Sequence, residues 1–246
     1  MPTLVPAAAR ALAIFEIFAR EKRELTNSEL AKFLGVAESS CSDLVNTLIG
    51  LGYINRAQQS RTLYPTSRLF FIASEVNTND WRGAKIQQVC EALRDKTGES
   101  ALCGALSNRS VTVLAFSPGR DPLRYTRSRG DRISLHVSSI GKAILAKLPV
   151  EQVAKELGNE SYERLTPNTL TEPVELARQV EEFRHKGWAY LENEGSEGLA
   201  SIAVSGPIGG ELLAFSITGA QPRIRRNQVE YLNALKELCA GVFDHD

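Results

Sequence analysis

The chain has 246 residues, 43% of them hydrophobic and 24% charged, with Lys plus Arg and Asp plus Glu both at 29. That length favours two domains of unequal size, the hydrophobic share excludes a wholly disordered chain, and a zero net charge means that any case for nucleic acid rests on local placement. No apolar run reaches the ~18 residues of a membrane helix and the N-terminus lacks the basic region of an export signal, while four cysteines without CxxC spacing, apart from the three histidines, argue against a metal site or disulfide framework and for a reducing cytoplasm, with no cofactor.

From Ala7 to Ala19, Leu12, Ile14, Phe15, Ile17 and Phe18 recur with a helical period and predict an amphipathic first helix. Thr26-Asn27-Ser28-Glu29 is a capping box, in which the threonine hydroxyl accepts from the N–H at 29 and the carboxylate accepts from the N–H at 26. The helix it opens runs through Leu30, Ala31, Phe33 and Leu34 to Gly35. A third helix starts within residues 37 to 39, buries Cys41, Leu44, Val45 and Leu48, and ends at Gly50 and Gly52. YINRAQQSRTLYPT predicts two short strands around a polar turn at Gln58-Gln59-Ser60.

Three helices and a hairpin make a winged helix-turn-helix, whose third helix enters a major groove while the hairpin lies on the backbone beside it. The third helix has no lysine or arginine. The hairpin and its exit carry Arg56, Arg61 and Arg68 with no acid between 44 and 74, a local charge of +3. Ser39, Ser42, Asp43 and Asn46 share one helix face, and serine, asparagine and aspartate can meet phosphates or base edges. With Ser40, Thr26, Asn27, Arg56 and Arg61 they form the candidate DNA contacts, set against the plainer reading of a solvated helix face.

SRLFFIASEV predicts another apolar helix, and NTNDW a linker that separates a DNA-binding domain at 1–77 from a second domain at 78–246. Trp81 to Thr97 is helical again, ending at Gly98. SALCGALS and VTVLAF read as a hairpin across Asn108-Arg109, PLRYTRS as a third strand, and SSIGKAILAKL as a helix. TEPVELARQVEEFRHKG predicts a long helix capped by Thr171 and ended by Gly187. Strands WAYL, LASIAVSG and ELLAFSIT follow, the last two joined around Ile208-Gly209-Gly210, and a final helix runs from Arg225 to Val242. Strands flanked by helices without βαβ alternation indicate an α+β domain of the sensory kind with an antiparallel sheet.

In LHVSSIGKAILA the chain leaves a strand and enters a helix at Ser138 or Ser139. The first amides of that helix have no internal acceptor, so with a serine hydroxyl they can seat a carboxylate. Around Ser139 and Ile140 the expected walls are Tyr125, Ile133, Ser201, Ser216 and Thr218, with 216 and 218 on one sheet face. Hydroxyls and an aromatic wall suggest a small organic acid, hydroxylated or aromatic. His136 near Ser138 invites a hydrolase reading, but no G-x-S-x-G elbow is present and adjacent strand residues point to opposite faces. Gly209-Gly210 opens no helix, so no dinucleotide fingerprint exists. No enzyme is expected.

ARALAIFEIFA, LTNSELAKFLGV and NTLIGLGYINR resemble the first helix, capped second helix and recognition-helix exit of the isocitrate-lyase-regulator (IclR) family of transcription factors. ISLHVSSIGKAILA is similar to that family's L-H-x-S-x-x-G-K-A segment, and GWAYLENEGSEGLASIAV to its aromatic-led strand with E-x-x-x-G. Three matches in order across both domains are specific. The resemblance implies a homodimer or tetramer that binds double-stranded operator DNA through winged helices and a small effector in a GAF-like C-terminal domain. Asp43 and Glu38 stand where the family has an arginine and often a lysine, Leu191 where it often has an acid, and Ser201 where it often has a cysteine. Glu38 and Asp43 favour one alternative, a sensor whose helix-turn-helix serves protein contacts rather than DNA; a hydrolase with a fused winged helix is the other.

Overall fold

Helix α1 (Pro6–Glu21) begins with a proline at its first position, where a missing N–H is not needed, and ends on Lys22 in the left-handed region. Its Ile14, Ile17 and Phe18 are buried. At α2 (Asn27–Leu34) the capping box closes, with Glu29 N donating to Thr26 Oγ1 at 3.3 Å and Thr26 N donating to Glu29 Oε2 at 2.8 Å. Gly35, at φ 65°, ends it. Helix α3 (Glu38–Gly50) buries Cys41, Val45 and Leu48, whereas Leu44, expected inside, is half-buried. Strands β1 (Ile54–Arg56) and β2 (Leu63–Pro65) pair antiparallel with Asn55 opposite Tyr64. Leu25, Leu30, Ile54 and Leu63 join the three helices in one apolar core. Phe33 stays exposed under the Arg20 guanidinium, 5.1 Å from its ring centre. Helix α4 (Arg68–Thr78) follows.

The computed structural model describes residues 5–57, 59–78 and 81–244, with the side chains of 77, 78 and 81 left aside. Gln58 of the expected wing turn, and Asn79 and Asp80 of the expected linker, lie outside the described residues. The chain divides into two compact units, Met1–Asn79 and Asp80–Asp246.

In the second unit α5 (Trp81–Thr97) leads into the hairpin of β3 (Ser100–Ser107) and β4 (Ser110–Ser117), turned by Asn108 and Arg109, both at positive φ as a tight two-residue turn requires. The six-stranded antiparallel sheet runs β5-β4-β3-β8-β7-β6, with β5 at Arg132–Ser134, β6 at Ala189–Glu192, β7 at Leu199–Ile208 and β8 at Glu211–Ala220. Period-two burial splits it into two faces. One packs Cys103, Ile202, Phe215 and Ile217 against α5 and the C-terminal helix; the other packs Leu102, Val111, Ala203 and Ala214 against helices α6 (Ser139–Leu145), α7 (Val150–Leu157) and α8 (Pro173–Lys186). Helix α6 lies close on this second face because Gly104 is bare there: a Cβ would sit 2.6 Å from Val111 Cγ1 and 3.4 Å from Ile140 Cγ2.

Four expectations need correction. Pro122–Ser128 forms no strand, because side chains satisfy its carbonyls in place of a ladder: Ser100 Oγ donates to Tyr125 O at 2.6 Å and Arg223 Nη2 to Leu123 O at 3.0 Å. The β4 edge is taken instead by β5. Thr171 does not cap α8; the residue before Pro173 is Glu172, which makes no side-chain cap bond, and Pro173 itself opens the helix. The final helix is two, α9 (Gln221–Arg226) and α10 (Gln228–Ala240), separated at Asn227 with ψ 16°. Helix α7, with Val153 and Leu157 buried, was not expected.

Candidate functional site

On the first unit, α3 and the hairpin meet. Arg56 Nη2, from β1, donates to Asn46 Oδ1 at 3.3 Å, so the wing borders the helix face that carries Ser39, Asp43 and Asn46. Ser39, Ser40, Asp43, Asn46, Arg56 and Arg61 are exposed; Ser42 is half-buried. Arg61 occupies the left-handed region at φ 52° on the hairpin turn. Arg68 is used in packing, its guanidinium 5.2 Å from the Tyr53 ring centre. Two candidates are committed to the fold. The Thr26 hydroxyl is spent in the capping box, also donating to Glu29 Oε2 at 2.9 Å. Asn27 Nδ2 donates to Glu38 O at 3.1 Å and ties the start of α2 to that of α3.

On the second unit, Tyr125, Ile133, Ser139, Ile140, Ser201, Ser216 and Thr218 all line one cavity of about 40 Å³. Leu102, Val137, Ser138 and Leu199 complete its wall. Sheet register brings the hydroxyls together: Ser201 pairs with Thr218, and Ser216 with Leu102. Ser216 Oγ and Thr218 Oγ1 lie 3.2 Å apart, both buried. Ser138 caps α6, its Oγ accepting from Gly141 N at 3.1 Å, and its carbonyl accepts from Lys142 N at 3.0 Å. The amides of Ser139 and Ile140, at the first helical positions, are then the ones without an internal acceptor. Tyr125 lines the cavity with the Arg127 guanidinium stacked on its ring at 4.7 Å, and burial raises its phenol pKa. Among the described residues, no charged side chain lines the cavity. A larger crevice of about 230 Å³, lined by Lys147, Phe183, Arg184 and Trp188 among others, touches none of the expected residues.

Behind the cavity, α6 is anchored by a polar triad that sequence reasoning did not single out. Lys142 Nζ, 1% exposed, donates to Glu194 Oε2 and Gln179 Oε1, both at 2.5 Å, and Gln179 Nε2 donates to Glu194 Oε1 at 2.7 Å. Burial pulls the Lys142 pKa down and the Glu194 carboxylate opposes that shift. Thr166 and Thr169 hold the Glu194 backbone, Thr169 Oγ1 donating to its carbonyl at 2.6 Å. His136 is no nucleophile's partner. It is buried in the short turn before α6, stacks on Tyr162 at 4.6 Å, and its Nε2 lies 3.0 Å from Glu163 O. The signal available in sequence was Lys142 itself, alone in the apolar run IGKAILA. Among the described residues no group of His, Cys, Asp or Glu is placed to hold a metal, and no helix is long and apolar enough to cross a membrane.

Comparison with known proteins agrees with both halves. Residues 7–57 match the IclR helix-turn-helix domain, and residues 83–242 match the family described as bacterial transcriptional regulator IclR C-terminal. The Pca regulon regulatory protein of Pseudomonas putida is 25% identical over 98% of this chain and 86% of its own. The crystal structure of a transcriptional regulator of this type from Alicyclobacillus acidocaldarius superposes with a TM-score of 0.69 at 26% identity, covering 97% of this chain and 98% of that one. An IclR homolog from Microbacterium hydrocarbonoxydans, crystallised with 4-hydroxybenzoate, has the same fold at 19% identity, with a TM-score of 0.64 over 95% of this chain and 99% of its own. With a helix-turn-helix at the N-terminus, an α+β domain after it, and family matches spanning both, the chain belongs to the IclR family of bacterial transcriptional regulators.

Proposed function

We propose that this regulator binds operator DNA through α3 and the wing, and that a small carboxylic acid in the hydroxyl-lined cavity modulates that binding. The observation that carries the reading is the cavity, where seven residues from five separate segments converge on the start of α6. Ser139 and Ile140 amides would take the carboxylate, and Ser201, Ser216 and Thr218 would take hydroxyls on the acid or its second carboxyl oxygen. At about 40 Å³ the cavity has room for roughly one water. An aromatic acid therefore enters only if the wall moves. The 4-hydroxybenzoate complex of the Microbacterium homolog guides the choice of probes.

Arg56 and Arg61 would neutralise phosphates, while Ser39, Ser40, Ser42, Asp43 and Asn46 face the bases. Thr26 and Asn27 would act through the backbone amides they position at the start of α2. A homodimer is part of the proposal, since α4 leaves Leu69, Phe70, Phe71, Ile72 and Val76 exposed on one short helix, with Phe70 at 69% and Val76 at 70%, an unusual apolar surface for a monomer. Pairing through it would present two wings to two half-sites. The reading places the protein in the cytoplasm, with its DNA.

Coupling makes the test. If an acid alters operator affinity, the operator must alter the affinity for that acid by the same factor. Titrating benzoate, 4-hydroxybenzoate and short 2-oxo and hydroxy acids with and without promoter DNA should give at least one acid with two different constants. Identical constants throughout would refute the coupling. Arg56→Ala and Arg61→Ala should each lower the salt slope of DNA binding by about one. Glu38 and Asp43 favour a second reading, in which the helix-turn-helix contacts protein. Retention on mixed duplex DNA that fades with salt would exclude it.

A further inference from the structure

The fold accounts for Glu38, Asn46 and Thr47 on α3, but not for Asp43. Glu38 is the first helical residue, where a carboxylate faces the amide end of the peptide dipoles, and its carbonyl accepts the bond from Asn27. Asn46 accepts from Arg56, and Thr47 Oγ1 donates to Asp43 O at 2.8 Å. Asp43 lies beyond the first turn, too deep for capping or for the helix dipole, and aspartate is a poor helix former in such a position. Its neighbours three and four residues away are Ser39, Ser40, Asn46 and Thr47, so no cation along the helix can pair with it. Its carboxylate is exposed and makes no ion pair or hydrogen bond among the described residues.

Helical spacing places Asp43 opposite the buried Cys41, Val45 and Leu48, on the outermost line of α3 between Ser39 and Asn46. The bond from Arg56 to Asn46 sets the wing at the edge of that line. Phosphate oxygens repel a carboxylate there, and so do guanine N7 and O6 and thymine O4. Adenine offers the N6 donor, but with the N7 acceptor beside it. Cytosine N4–H has an acceptor on one side only, the O6 of its paired guanine, whereas adenine N6–H lies between its own N7 and the O4 of its paired thymine, so cytosine repels a carboxylate least. We propose that Asp43 is a specificity-determining residue that selects cytosine at one position of each half-site. The inference rests on α3 being the element that reads DNA.

The test is selection from a duplex pool with a randomised centre, at low salt, by the full-length protein and by Asp43→Ala and Asp43→Asn. Wild type should enrich one cytosine per half-site by about fivefold or more, the range for one charge-assisted contact. Asp43→Ala, which can only favour the helix, should lose the preference at that base and keep the rest of the motif. Asp43→Asn should move it to adenine, because an amide pairs with N6 and N7 together. The same motif from wild type and Asp43→Ala overturns the assignment while leaving DNA binding intact. Enrichment of no duplex by wild type overturns both, and marks the failure as that of the DNA reading beneath.

Discussion

The two units treat polar groups in opposite ways. Every buried polar or charged residue among those described, Lys142, Glu194, Glu99 and His136 included, lies in the second unit; the core of the winged helix holds only apolar side chains and Cys41. A surface that meets a duplex can keep its recognition groups in water, above a core that need not know about them. A cavity that recognises a small molecule must bring hydroxyls and amides inside, and each group then needs a partner or costs its full desolvation. The largest expected effect follows at Lys142. Removing one partner of a buried pair leaves the other charge uncompensated, so Lys142→Met should destabilise the second unit by about 3–5 kcal/mol, and Lys142→Met with Glu194→Leu should recover most of it. Urea unfolding followed by tryptophan fluorescence reads this unit alone, since both tryptophans, Trp81 and Trp188, lie in it. The matching change in the first unit, Arg23→Met at the exposed Arg23–Glu29 pair, should leave the midpoint of that unit, followed by helical circular dichroism, in place. Equal losses from the two would break the contrast.

A threonine pair sharpens it at smaller scale. Thr169 Oγ1 accepts from Leu165 N at 3.2 Å and Thr166 N at 2.9 Å besides holding the Glu194 carbonyl, and it is 2% exposed. Thr169→Val keeps the shape and strands those groups, for about 1–3 kcal/mol by the same unfolding measurement. Thr47 also bonds a carbonyl, but in water on the surface of α3. Thr47→Val should stay within about 0.5 kcal/mol, read by circular dichroism.

What could be read from sequence was what depends on near neighbours. The capping box at Thr26 and Glu29, the glycine stop at 35 and the turn at Asn108-Arg109 are each settled within four residues. Part of the cavity was legible for a related reason, since strand parity assigns Ser216 and Thr218 to one face whatever the rest of the fold does and a serine-led helix start advertises its amides; Tyr125, Ile133 and Ser201 follow from the spacing they share with the IclR family's pocket. Pro122–Ser128 has a strand's composition, yet its carbonyls are claimed by Ser100 and by Arg223, the latter a hundred residues later in the chain. Lys142 is tied to Gln179 and Glu194, 37 and 52 residues on. The Thr26 and Asn27 side chains go to the capping box and to Glu38 O at the start of α3. Such partners are chosen by tertiary packing, which no local pattern reports. Helix α7 fell to a different cause, since eight residues give periodicity little to work on.

The smallest effect separates the units by pH. Glu29 is held down to about 2, chiefly by the Thr26 backbone N–H and then by Arg23 and the Thr26 hydroxyl. Its folded pKa lies below its ordinary 4.5, so its contribution to stability is present above 4.5 and is lost as pH falls from there toward 2. In the second unit, burial lowers His136 below its ordinary 6.5, with Lys142 adding to the shift and Glu163 and Glu194 opposing it. The sign is the same but the window is higher: stability present above 6.5 falls as pH drops through the folded value, because the unfolded chain takes up the proton first. Between pH 6.5 and 4.5 the tryptophan-monitored unit should therefore soften while the winged helix holds. His136→Gln should flatten that limb, and Glu29→Gln should flatten the limb below 4.5 seen by circular dichroism. If His136→Gln keeps the wild-type slope between pH 6.5 and 4.5, burial of the imidazole does not set the acid response of the sensory unit, and the contrast between a dry polar interior and a solvated polar surface loses its clearest titration.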